Sequence, residues 1–224
     1  MDKIRKVLKL NVGSAIQIFD GSGALYTATI TKLRKNFVGG DILSQKEQKV
    51  RDSFQNAIYL AQALCRTTKI DNIVRMNAEI GVAGFFFFES DHSIVKLADF
   101  RQNKINRWTK IAQEATRQSE QTIIPIVRNP ITYDELDTIQ IEQKILLHSR
   151  QTDISKNFQE VREEIDLNSS ILIIVGPEGG FSKNEIAMAQ KKGFFISHLN
   201  LPILRTETAG LVAASNLLLL DKKI

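Results

Sequence analysis

Apolar and polar positions alternate residue by residue near the start of the chain and give way to long buried-type runs after it. Ala15 to Phe19 reads apolar, polar, apolar; Asp20-Gly21-Ser22-Gly23 supplies a turn; Leu25 to Ile30 resumes with β-branched residues. That pattern predicts a hairpin. Phe37-Val38-Gly39-Gly40 ends a further short strand, so the first 50 residues predict a small all-β unit. The texture changes near residues 50 to 53, the one plausible linker. Ala57 to Leu64 and Val82 to Phe88 read as buried strands. Between them Ile70, Ile73, Val74 and Asn77 fall at helical spacing over Lys69 to Ile80, which Gly81 stops. Arg101 to Ser119 predicts a helix with Ile105, Trp108, Ile111, Ala112 and Ala115 on one face. Ile123 to Val127 reads as a short strand and Thr132 to Ile139 as a short helix. Lys144 to His148, Ile171 to Val175 and Phe194 to Leu199 are further strands, with helices at Ser182 to Lys191 and Thr206 to Leu220. Strands alternating with helices predict an α/β fold whose largely parallel sheet is covered on both faces.

Composition narrows the function classes. A chain of 224 residues with 43% hydrophobic and 25% charged residues is neither disordered nor fibrous. Its longest apolar run is far below the ~20 residues of a membrane-spanning helix, and Met1-Asp2-Lys3-Ile4-Arg5 is no signal sequence, so a cytoplasmic location is expected. One cysteine excludes an internal disulfide, and three scattered histidines (His92, His148, His198) argue against a metal site. The net charge of +5 becomes informative once located. Residues 1 to 50 hold nine of the 30 basic and four of the 25 acidic residues, so the remainder is balanced at 21 of each. A basic module on a neutral body points to a polyanion, nucleic acid before membrane; a Lys-rich soluble surface is the plainer reading.

Two segments carry candidate chemistry. Ile171 to Val175 runs into Gly176-Pro177-Glu178-Gly179-Gly180, after which Ser182 and Glu185 have the spacing of a capping box. Such a turn lies where open α/β sheets bind ligands, and its glycines allow positive φ and close backbone approach. It lacks the Walker spacing and Gly-x-Gly-x-x-Gly, and Glu178 would repel an anion at the helix start, so a neutral or cationic ligand fits better. A plain strand-turn-helix joint is the bland alternative. The second segment is Leu199-Asn200-Leu201-Pro202-Ile203-Leu204-Arg205-Thr206-Glu207-Thr208-Ala209. Thr206 or Thr208 can cap the last helix, while Arg205 at its start needs an acid, such as Glu207, or an anionic ligand.

Together these segments resemble the C-terminal signature of the ribosomal RNA small subunit methyltransferase E family of the SPOUT superfamily. Gly176 to Gly180 match its Gly-Pro-Glu-Gly-Gly turn; Leu199, Ile203, Leu204, Arg205, Glu207, Thr208 and Ala209 match its Leu-Gly-x-Arg-Ile-Leu-Arg-x-Glu-Thr-Ala block. Glu79-Ile80-Gly81-Val82, the Arg107-Trp108 helix, Lys6 to Leu10 and Phe19-Asp20-Gly21 extend the resemblance over nearly the whole chain. It implies a small PUA-like β-barrel RNA-binding domain at 1–50, which reads as N-terminally shortened. A SPOUT α/β methyltransferase domain with a deep trefoil knot follows at 53–224. The implied activity is S-adenosylmethionine-dependent methylation of uridine N3 in 16S ribosomal RNA, free or in the assembled small subunit, by a homodimer.

Carried over residue by residue, the resemblance places the cofactor against Leu147, His148, Gly176, Pro177, Glu178, Gly179, Gly180, Leu199, Asn200, Leu201, Leu204, Thr206 and Ala209. It assigns Arg205, Glu207 and Glu178 to catalysis, with Arg205 holding negative charge on the uracil and Glu207 holding Arg205. RNA contacts fall to Arg5, Lys6, Lys9, Arg34 and Lys35. Four departures stand out: Met76 for Lys, Glu120-Gln121 for Gly-Arg, Asn200 for Gly and Pro202 for Arg. Asn tolerates positive φ, which would preserve that loop. The lost cations keep an alternative open, a non-catalytic RNA-binding relative; an unrelated nucleotide-binding α/β protein is the other rival.

Overall fold

The computed structural model describes residues 8–34, 36–47, 57–149 and 151–220. Arg5, Lys6 and Lys35, and the linker expected at 50 to 53, lie outside the described residues. The chain divides into two units.

The first unit is an antiparallel sheet in the order β1-β2-β3, from Ala15–Phe19, Ala24–Arg34 and Phe37–Glu47. The hairpin expected from Asp20 to Gly23 is present, with Phe19 opposite Leu25. Strands β2 and β3 run further than the alternation indicates. Gly39 and Gly40 do not end β3: a side chain on Gly40 would sit 2.5 Å from the Thr29 carbonyl, so glycine lets the two backbones close. Ile123 makes isolated bridges to Gly21 and Ser22, and Gln121–Ile123 belong with this unit. The expected strand from Ile123 therefore begins only at Ile126.

The second unit is built on an eight-stranded sheet whose strand pairings are parallel throughout the described residues. Its strands are β4 (Ile58–Ala63), β5 (Gly84–Glu89), β6 (Ile126–Val127), β7 (Ile131–Thr132), β8 (Gln143–Leu147), β9 (Lys156–Asn157), β10 (Ile171–Val175) and β11 (Phe195–His198). The order is β6-β5-β4-β10-β8-β11-β9, with β7 also on β5. Alternate side chains explain why the central strands read as continuous apolar runs. Ile171, Ile173 and Val175 enter one core with α1 (Thr67–Ile80), α2 (Asn103–Gln118) and α5 (Thr206–Leu220). Leu172 and Ile174 enter the other, with Phe88, Tyr133, Ala189 and Phe194. A strand buried on both faces has no polar side to show.

Helix α1 ends at Gly81, whose φ of 97° is the left-handed stop. Helix α2 buries Ile105, Trp108, Ala112 and Ala115 as its periodicity predicts, with Ile111 at the edge, and Arg107 grips Asp71 of α1 through two hydrogen bonds. Helices α3 (Phe158–Glu164) and α4 (Lys183–Lys191) complete the fold. The short helix expected at Thr132 to Ile139 is instead β7 followed by a 3-10 turn, Asp134–Thr138. After β11 the chain returns past β8 and β10, so that α5 packs on β10, β4 and α1.

Candidate active site

Parallel strands β8, β10 and β11 end side by side at Leu147, Val175 and His198, and a cavity of about 790 Å³ opens beyond them. This is where an open parallel sheet offers room and backbone groups to a ligand. The Gly176–Gly180 turn forms one wall and the 199–206 loop another. All thirteen residues expected against a cofactor, from Leu147 to Ala209, line it, as does Arg205. So do Lys69, Ser149, Gln151, Phe181, His198, Pro202 and Ile203, for which the sequence predicts no role at the cofactor.

Local packing explains the shape of the glycine turn. The Gly180 N–H donates to the Pro177 carbonyl at 2.9 Å, and Gly180 itself takes φ +72°. A side chain at Gly176 would meet the Phe181 ring at 3.0 Å, and one at Gly179 would meet His92 Cβ at the same distance. These two glycines thus answer to protein neighbours, where the sequence pattern suggests ligand approach. The capping box is present: Ser182 Oγ accepts from Glu185 N at 3.2 Å, and Glu185 Oε2 accepts from Ser182 N at 2.8 Å. Asp91 fixes the same corner, its N–H donating to Glu185 and its carboxylate accepting from Ser182 Oγ.

The two motifs are joined from behind by Gln62 at the end of β4. Thr206 Oγ1 donates to the Gly176 carbonyl at 2.7 Å and accepts from Gln62 Nε2 at 2.8 Å. Thr206 is therefore a cross-link between α5 and the glycine turn, not the side-chain cap its position predicts. Asn200 adopts φ +49°, the left-handed conformation expected of it.

The ion pairs beside the cavity differ from those the sequence suggests. Lys69 Nζ lies 2.9 Å from Glu178 Oε1 and 3.6 Å from Glu207 Oε2. Glu207 does not line the cavity, and its ion pair is with Lys69; Arg205 is exposed on the cavity wall with no ion pair among the described residues. The expected Arg205–Glu207 pair is not among the ion pairs of the described residues; Glu207 pairs with Lys69 instead. Burial acts to raise the Glu178 carboxyl, but the Lys69 hydrogen bond, aided by the charges of Lys69 and Arg66, holds it below the usual carboxylate range. Burial pushes the Cys65 thiol up to about 12, leaving it neutral beside this cluster. The sequence did carry a signal for Lys69: a cation in the first turn of a helix with no acid there needs one from elsewhere.

Among the described residues no group of three or more His, Cys, Asp or Glu could hold a metal ion, and no helix is long and apolar enough to cross a membrane. Of the expected RNA-binding residues, Lys9 and Arg34 are exposed.

Similarity to known proteins follows the same division. An RNA methyltransferase domain matches residues 52–218, and an RNA methyltransferase PUA domain matches residues 4–43. The chain is similar to the ribosomal RNA small subunit methyltransferase E of Buchnera aphidicola, 32% identical over 220 residues, covering 96% of this chain and 83% of that one. Among solved structures it is similar to the Neisseria gonorrhoeae ribosomal RNA small subunit methyltransferase E bound to S-adenosyl methionine. That likeness has a TM-score of 0.82 and 27% identity over 97% of this chain and 88% of that one. A Legionella pneumophila putative methyltransferase in complex with the bound cofactor SAM gives a TM-score of 0.81 and 28% identity, covering 96% and 87%.

Proposed function

The chain belongs to the ribosomal RNA small subunit methyltransferase E family, and from that premise we propose that it methylates N3 of one uridine in small-subunit ribosomal RNA. Its cofactor is S-adenosylmethionine, as in the Neisseria and Legionella relatives. The observation that carries this reading is the convergence of both motif loops on one cavity at the carboxyl ends of parallel strands. The residues fit the cofactor. About 790 Å³ lies within the range of small-molecule sites. Leu147, Leu199, Leu201 and Ala209 offer apolar contact beside backbone groups, and an ionised Glu178 suits a cationic sulfonium.

The cofactor supplies an activated methyl group; the protein supplies alignment and a dry, shaped site. A uridine N3–H is weakly acidic, so its loss places negative charge on the ring. Arg205, on the wall and free of an ion pair among the described residues, is the donor positioned to hold that charge. Glu178, held below the usual carboxylate range, is a poor proton acceptor and serves better as a fixed negative charge. The base enters unpaired or extruded from its helix.

The 1–50 segment, PUA-like by its match, is the RNA-gripping domain of this scheme and 53–224 the catalytic one. The return of α5 to β4 supports a trefoil knot formed by the last segments, which a crystallographic chain trace through 199–206 would decide. The half-exposed face of α5 supports a homodimer, and a ribosomal substrate, free or assembled, supports a cytoplasmic location. Nucleoside mass spectrometry of ribosomal RNA from cells with and without this protein tests the reaction. We expect 3-methyluridine to disappear from small-subunit RNA when the protein is absent; an unchanged level refutes the substrate.

A further inference from the structure

Lys69 is the third residue of α1, in a first turn that contains no acid. The helix dipole disfavours a cation there. Its ammonium instead meets carboxylates from two other elements: Glu178 of the glycine turn at 2.9 Å and Glu207 of α5 at 3.6 Å. Glu207 Oε2 is shut off from solvent and accepts no hydrogen bond, so the Lys69 charge is what compensates it. Lys69 and Glu178 line the cavity and Glu207 does not. Two carboxylates and one ammonium leave this cluster with one net negative charge. Arg66 acts on Glu178 from the loop before α1, Cys65 is neutral, and Arg205, His148 and His198 line other parts of the cavity.

We propose that Lys69 is a positioning residue of the methyl-transfer site: it ties the glycine turn to the start of α5 and sets the charge presented to a cationic cofactor at minus one. The inference rests on the S-adenosylmethionine assignment and deepens it. Without Lys69 the two carboxylates lose the ammonium that lies near both, they repel, and one of them binds a proton more readily. The turn then loses its tether, and the charge on the wall moves with pH between minus two and minus one instead of staying fixed. Lys69→Arg keeps both the charge and the reach.

Calorimetric titration of the whole protein with S-adenosylmethionine from pH 5.5 to 8 tests this, with melting curves to check folding. Wild type sets the reference pH profile, to which every other group on the cavity wall contributes equally in the variants. Lys69→Met should bind roughly tenfold more weakly or worse because the turn has lost its tether, and its affinity should fall more steeply than that of wild type as pH drops, because protonation takes the cluster from minus two to minus one. Lys69→Arg should stay within a few-fold of wild type. Lys69→Met/Glu207→Gln, which removes the repelling partner, should return to the wild-type pH profile. If Lys69→Met fails to fold, Glu207→Gln decides: it takes the cluster from minus one to zero and should also weaken binding several-fold. A Lys69→Met protein that binds like wild type at every pH overturns the proposal, as does a double variant that keeps the steeper pH dependence, or an unchanged Glu207→Gln. Failure of wild type itself to bind would overturn the cofactor assignment and this inference with it, an outcome distinct from a wild type that binds and variants that do not differ.

Discussion

Glu120 carries φ +57°, and Asn200 carries φ +49°; both stand where the sequence resemblance leads one to expect glycine. The two substitutions are not equivalent. Asn visits the left-handed region with modest strain, and its presence in the 199–206 loop was readable as a conservative exchange. Glu120 follows the C-cap Ser119 of α2, the position where helices most often turn left-handed through glycine. A longer side chain there costs about 1–2 kcal/mol in backbone strain, while glycine would cost roughly 0.5–1 kcal/mol in chain entropy. Glu120→Gly should therefore stabilise the protein by up to about 1 kcal/mol, seen as a higher urea midpoint at unchanged slope; a lower midpoint would refute the strain. Asn200→Gly should shift the midpoint by less than half as much. Lys69 marks the other side of residue-scale legibility. Its place in a first turn without acids signals that it needs a carboxylate, but its two partners lie more than 100 positions away, and spacing along the chain does not name them.

Elements with a strong period were legible, and short polar ones were not. The buried strands β4, β5 and β10 announce themselves because both faces are covered. By contrast β9 has two residues, Lys156 and Asn157, and α3 buries only Phe158 and Val161. Their existence depends on pairing with β11 and on the Asn157 capping box, not on any apolar stripe. Helix α5 was readable as buried because it is apolar all round, yet only one side is covered among the described residues. Ala213, Ala214, Leu217 and Leu218 are buried, whereas Leu211 and Val212 are partly open and Leu219 is 73% exposed. A helix with such a face in water is unfavourable, and a twofold partner would cover it with the same surface. Light scattering at micromolar concentration should give twice the 25.3 kDa of one chain; the mass of a single chain would refute the dimer, and Leu219→Glu should shift a dimer toward it.

At the scale of the molecule, charge and chemistry sit in different parts of the chain. The first 50 residues hold the whole excess of +5, and Lys9, Lys32 and Arg34 are exposed there. Arg205 lies in the other unit, on the wall of the cavity. If the first group grips phosphates and Arg205 acts at the target base, their losses should differ in kind. Lys9→Ala/Lys32→Ala/Arg34→Ala should weaken RNA binding and reduce its salt dependence, by roughly 0.7 to 0.9 of a log–log unit for each phosphate left unneutralised. Turnover at saturating RNA should stay near wild type, because phosphate-gripping side chains hold substrate and transition state alike. Arg205→Ala should leave the salt slope almost unchanged and lower single-turnover rate by ~10²-fold or more, as the loss of a charge-stabilising donor does. Single-turnover kinetics across a salt series separates the two patterns. An Arg205→Ala enzyme that loses only RNA affinity, or a triple variant with undiminished binding at every salt concentration, would show that grip and chemistry are not divided this way.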